Sequence, residues 1–150
     1  MGKIFLMIFG VILLSSPVFA AGTCVESLTR ISPGVSILQF TCTGDAADGT
    51  FPATVSSRNI EGYVFMVLTN PGSPALTDNY DISLVDTDGL DISGGLLVNR
   101  DQAVTEVVIP KVDLVASLYG PRYVKGKVTL EISNNSVLSG VVAVSLYIAQ

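Results

Sequence analysis

Apolar and polar residues alternate with a period of two along most of this chain, and no long stretch repeats at helical spacing. Thr23 to Arg30 and Val35 to Thr43 read as the two strands of a hairpin. Gly44 to Gly49 is a polar turn, and Thr50 to Val55 a short edge strand interrupted by Pro52. Ile60 to Thr69 is greasy on both faces: Gly62, Val64, Met66 and Leu68 point one way, Tyr63, Phe65 and Val67 the other. That pattern predicts a central strand covered on each side. Asn70 to Thr77 is a turn-rich loop with Pro71-Gly72 and Pro74.

In the second half, Tyr80 to Val85 and Leu90 to Leu97 flank the hairpin signature Asp86-Thr87-Asp88-Gly89, with a bulge expected at Gly94-Gly95. Val104 to Ile109 is a strand stopped by Pro110. The spacing of Val112, Val115 and Tyr119 suits one or two helical turns before Gly120-Pro121. Val124 to Ile132 and Val137 to Ile148 read as a last hairpin through Ser133-Asn134-Asn135-Ser136. The stretch Gly140 to Ile148 is apolar on both faces, as a buried core strand would be; an exposed edge that pairs with a neighbouring subunit is the other reading. The expected fold is all-β: a single antiparallel β-sandwich or jelly-roll-like domain of about eight strands, without linker or internal repeat.

Cys24 and Cys42 are the only cysteines. A hairpin turning at Ser32-Pro33-Gly34 pairs Leu28 with Leu38, Glu26 with Phe40 and Cys24 with Cys42. The two thiols then lie opposite one another at the edge of the core, close enough for a disulfide. Two buried free thiols are the alternative, and export of the chain argues against them.

Export is what the N-terminus predicts. Lys3 precedes the apolar run Ile4 to Leu14, Ser15-Ser16-Pro17 breaks it, and Val18-Phe19-Ala20 offers small residues at the positions a signal peptidase reads. The run is shorter than the ~20 residues that span a bilayer, so an uncleaved anchor fits less well. A lipoprotein signal fits less well again, because Thr23 stands directly before Cys24. Residues 1–20 are therefore expected to be a signal peptide and 21–150 the folded domain, located in the periplasm, outside the cell or on its surface. The membrane is met only through the signal segment before cleavage.

Charge narrows the partners. Without Lys3, seven basic residues face thirteen acidic ones, a net charge of −6, and there is no basic cluster. Nucleic acid and anionic lipid would be repelled. Catalysis finds little to work with: there is no histidine, no Gly-x-Ser-x-Gly elbow, no phosphate-binding loop and no Cys-x-x-Cys. A hydrolase built on two carboxylates leaves no local signature, but the chain has no Trp to offer as a sugar platform. The expectation is that the protein is not an enzyme.

The one chemistry-bearing run is acidic. Asp86, Asp88 and Asp91 surround Gly89, with Asp78 and Asp81 upstream. Aspartates spaced in this way can wrap oxygens around Ca²⁺, although no Glu closes the loop at its twelfth position. The competing reading has Asp86 and Asp88 setting the hairpin turn through hydrogen bonds to nearby amides. Asn134-Asn135-Ser136 matches a glycosylation sequon but serves equally as a polar turn.

From Asn70 to Leu84 (Asn-Pro-Gly-Ser-Pro-Ala-Leu-Thr-Asp-Asn-Tyr-Asp-Ile-Ser-Leu), the sequence resembles small β-rich proteins encoded among the structural genes of tailed phages and prophages. Asp88-Gly89-Leu90-Asp91, Gly94-Gly95, Asn99-Arg100-Asp101, Gly126 to Leu130 and Gly140 to Tyr147 extend the resemblance over roughly residues 47 to 149. It implies a non-catalytic virion-associated or surface-assembled subunit and assigns no binding residues. Virion proteins assembled in the cytoplasm need no export signal, so its combination with this remainder points to a phage-like fold adapted as an exported surface protein. The leading expectation is a structural or interaction protein whose partner is protein, through self-association or a surface assembly. An extracellular module for Ca²⁺ or glycan, resting on the aspartates, and a fimbrial subunit are the alternatives.

Overall fold

A computed structural model describes residues 21–113 and 117–150 of the chain; the expected signal segment, residues 1–20, lies outside them. The described residues form eleven strands and no helix, so the fold is all-β, with more strands than the eight expected from sequence.

The N-terminal hairpin forms as its residues predict. Strands β1 (Thr23–Ser32) and β2 (Val35–Thr43) pair antiparallel with Cys24 opposite Cys42, Glu26 opposite Phe40 and Leu28 opposite Leu38. Cys24 and Cys42 are joined in a disulfide. Ile31 is the one residue out of register, at a bulge between Arg30 and Ser32 beside the turn.

Strand β3 (Thr54–Val55) is the short edge strand, and β4 (Ile60–Pro71) is the hub of the large sheet. One side of β4 pairs with β11 (Val141–Ala149), which in turn pairs with β2. The other side pairs with β6 (Glu106–Val108) over Val67 to Thr69 and with β9 (Arg122–Gly126) over Ile60 to Val64. The large sheet therefore runs β1-β2-β11-β4, and then to β6 and β9 side by side. The last strand is interior, paired along both edges, and is not an exposed edge.

A second sheet places β10 (Thr129–Ser133) between β3 and β5 (Asp81–Val85). Val64, Val67, Leu38, Phe40, Val144 and Leu146 of the large sheet share one buried cluster with Ile82, Leu84, Leu130 and Ile132 of the small one. Each such side chain contributes roughly 1.5–3 kcal/mol on burial, enough to hold the two sheets together.

Four expectations are corrected. The stretch Val124 to Ile132 is two strands in two sheets, broken where Gly126 takes φ +101°. Side chains take over the ladder at that break: Lys127 N–H donates to Thr87 Oγ1 at 2.8 Å, and Val128 N–H to Ser56 Oγ at 3.0 Å. Consequently β10 and β11 do not form a hairpin; the Asn134 to Gly140 connection carries the chain from the small sheet to the large one.

Leu90 to Leu97 is not a strand. It runs beside β5 through single contacts, Ile92 N–H to Leu84 O and Ile82 N–H to Leu97 O, because Ser93-Gly94-Gly95 coils away from the ladder between them. The described ends of Val112 to Tyr119 are extended, as β7 (Lys111–Asp113) and β8 (Leu118–Tyr119) pair antiparallel; residues 114–116 are not described.

Candidate functional site

The alternation in β4 changes phase halfway. Ile60, Gly62 and Val64 face the core, and then Val67 and Thr69 do. Between them, Tyr147 of β11 pairs with Met66 and Ile148 with Val64, leaving Phe65 as an extra residue. This bulge puts Phe65 and Met66 on the outer face together. The strand is central as expected, but the described chain covers it on one side only.

The outer face is consequently a continuous apolar band. Ile37, Tyr147 and Met66 align across β2, β11 and β4; Leu68 stands opposite Val107 of β6, and Tyr63 opposite Tyr123 of β9. The rings of Tyr63 and Tyr123 meet edge-on with centroids 5.3 Å apart, and Phe65 meets Tyr147 likewise at 6.1 Å. Tyr63, Tyr123 and Val107 are 52%, 46% and 55% exposed. Polar groups at the margins pair with one another: Gln39 Nε2 donates to Ser145 Oγ at 3.0 Å, and Tyr123 Oη–H to Glu61 Oε1 at 3.1 Å. That bond to a carboxylate holds the Tyr123 phenol proton and raises its pKa.

Val107 also joins this band to a hollow of about 530 Å³ lined by Leu96, Arg100, Val107, Val108, Ile109 and Tyr119. Ile109 and Tyr119, which line it, are exposed apolar side chains. Beneath it, the Arg100 guanidinium lies 3.4 Å from Glu106, whose carboxylate accepts the Asp101 N–H at 2.8 Å. Tyr80, whose backbone bridges to Arg100, is fully buried.

No family model matches the chain, and no curated protein or solved structure matches it either.

The residues singled out from sequence are placed as follows. Cys42 lies in the buried cluster and Cys24 packs against it. Asp86 Oδ1 accepts the N–H groups of Asp88 and Leu90 at 3.0 and 2.9 Å, the turn geometry weighed against calcium. Asp91 Oδ1 accepts from Ser93 N–H and Ser93 Oγ, both at 2.8 Å, and from Gly94 N–H at 3.2 Å; its Oδ2 accepts from Gly95 N–H at 2.6 Å. The carboxylates of Asp86 and Asp91 thus serve their own loops, and Asp88 adds no third ligand to them: no group of three or more His, Cys, Asp or Glu suited to a metal occurs among the described residues. Asn134 of the sequon donates its amide to Asp81, while Asn135 clamps three segments by bonding to Thr77 N–H, Gly49 O and Val137 O.

The open face was missed because a strict period of two assigns Phe65 and Met66 to opposite sides. The available signal was the density of aromatic residues on β4, β9 and β11, which no part of the described chain covers.

Proposed function

We propose that this protein is a non-catalytic structural subunit, exported from the cytoplasm, which works by contact with further copies of itself through the open face of its large sheet. The observation that carries the reading is the outer band in which Tyr63, Tyr123 and Val107 are exposed and Phe65, Met66 and Leu68 half-buried, continuous with the hollow beside Tyr119. Contiguous apolar surface of this kind is costly to leave in water and marks contact sites on soluble proteins. Aromatic side chains with a polar tip, such as Tyr63 and Tyr123, suit a surface that is wet before assembly and buried after it. The Cys24–Cys42 disulfide supports an oxidising compartment, and with the N-terminal segment an exported one. The resemblance to phage structural proteins agrees with a subunit that repeats.

Light scattering and sedimentation of the protein purified from an exporting host test the reading. Wild type is expected above monomer mass, increasing with concentration. Val107→Glu and Tyr123→Glu, both at exposed positions, are expected to lower the assembly mass by removing the open-face contact; Val107→Glu, which breaks no side-chain hydrogen bond of the fold, should do so with an unchanged melting temperature. A wild type that remains monomeric at all attainable concentrations sinks the proposal.

A further inference from the structure

The large sheet has a second unsatisfied boundary, the free edge of β1. This strand pairs with β2 along its length, and no strand or backbone hydrogen bond among the described residues covers its other side. It is ten residues long and carries no Pro; its two charges, Glu26 and Arg30, are of opposite sign, and its bulge lies near its end at Ile31.

The orientation of its free groups follows from the disulfide pair. Cys24 and Cys42 have Cα atoms 4.0 Å apart, the close spacing of a non-hydrogen-bonded pair. The N–H and C=O groups of Cys24, and of Glu26, Leu28 and Arg30 at the same phase, therefore point away from β2 to the open edge. Ile31 is bulged, so the regular edge ends at Arg30.

We propose that two copies of the chain join β1 to β1, antiparallel about a two-fold axis at Leu28. This rests on the self-association reading above and names a second contact for it. The two-fold at Leu28 sets Glu26 of each copy opposite Arg30 of the other, twice, with Ser27 opposite Thr29 on the outer face. Moving the axis one residue either way opposes one of these charges to Leu28. Only the Leu28 register makes the edge complementary in charge to itself. It also brings Val25 (67% exposed) towards Ile31 (53% exposed) at each end. The Glu26 carboxylate already accepts from Ser57 N–H and Ser57 Oγ, which fixes its position, and a carboxylate has further lone pairs for an arginine. An isologous contact of this kind closes on itself, leaving the open face of each copy available for the other contact.

Two pairs of variants test the register. Arg30→Glu alone opposes acid to acid at both ends, and Glu26→Arg alone opposes base to base; mixed in equal amounts, the two are complementary. Each alone is expected to weaken the edge contact about tenfold or more, and the mixture to restore it. Arg30→Glu disturbs no hydrogen bond seen within the fold, so its melting temperature should be that of wild type. Second, Ser27→Cys and Thr29→Cys are mixed under mild oxidation. Covalent heterodimer is expected, with neither variant cross-linking to itself. Self-cross-linking of Ser27→Cys or of Thr29→Cys would place the axis at that residue and overturn the Leu28 register. If wild type associates while the charge variants and the cross-links show nothing, the edge contact falls and the open-face reading stands. If wild type is monomeric, both fall.

Discussion

Tyr80 ties the stability of this fold to alkaline pH. Its side chain is 0% exposed, and its hydroxyl is buried with no well-formed hydrogen bond, only the Thr69 hydroxyl standing near it. Burial pushes the phenol up to about 12; the Glu106 carboxylate adds to the shift, the Arg100 guanidinium and the Thr69 hydroxyl oppose it, and Asp101 adds a little more. In the unfolded chain the phenol titrates near 10. The folded state therefore holds this proton more tightly, so its contribution is complete below pH ~10 and declines as pH rises towards the folded value. With these two values, wild type should lose about 1.4 kcal/mol of stability through this one group on going from about pH 8 to about pH 11. Tyr80→Phe removes the titration and an unpartnered polar atom, so at about pH 8 it should be as stable as wild type or up to roughly 1 kcal/mol more so. Urea unfolding of both proteins across that pH range reads the difference, with every other alkaline effect common to the two. The gap should widen by the stated amount. If the two stability curves instead fall in parallel, Tyr80 is not desolvated in the folded state and the account of the cluster beneath the hollow is wrong.

Other perturbations address the rest of the structure. Cys24→Ser with Cys42→Ser opens a loop of sequence separation 18; this should lower unfolding stability by about 3 kcal/mol in urea, and an unchanged midpoint would refute the staple. Asp91→Ala strips acceptors from Ser93, Gly94 and Gly95, and should cost about 2–4 kcal/mol, most of it absent in Asp91→Asn if one oxygen suffices; calorimetry reads both. Gly62→Ala places a Cβ 2.4 Å from the Ala149 carbonyl at φ +155°, so a loss of about 2–4 kcal/mol is expected by thermal melting. Calcium titration should leave the melting temperature unchanged, because no three carboxylates suited to a metal come together among the described residues.

Local chemistry made the first hairpin legible: a Pro-Gly turn midway between two cysteines fixes one register, and β1 and β2 adopt it. The Asp86 turn was legible for the same reason, since an aspartate two residues before an amide is a short-range device. The relation of β9 to β10 was not. Val124 to Ile132 keeps a strand-like pattern throughout, and the break depends on Thr87 and Ser56, remote in sequence, which accept the amides of Lys127 and Val128. Nor could alternation reveal that β11 sits between β2 and β4, because strand order is set by which buried faces meet.

The open face follows from how the chain spends its strands. The longest strands, β1, β2, β4 and β11, all join one sheet, while the sheet sharing its core has three short ones. That supply covers one face of β4 and leaves nothing among the described residues for the other. Nearer β1 the same face carries Ser27, Thr29 and Thr41 together with the exposed Val25. Tyr63, Phe65, Met66, Tyr123 and Val107 occupy the opposite end instead, around the bulge that turns two successive large side chains outward. The bulge also resets the phase of the strand, so that Val67 and Thr69 face the core after Val64. On the proposed reading, the surface it makes is the one a second copy of the chain covers.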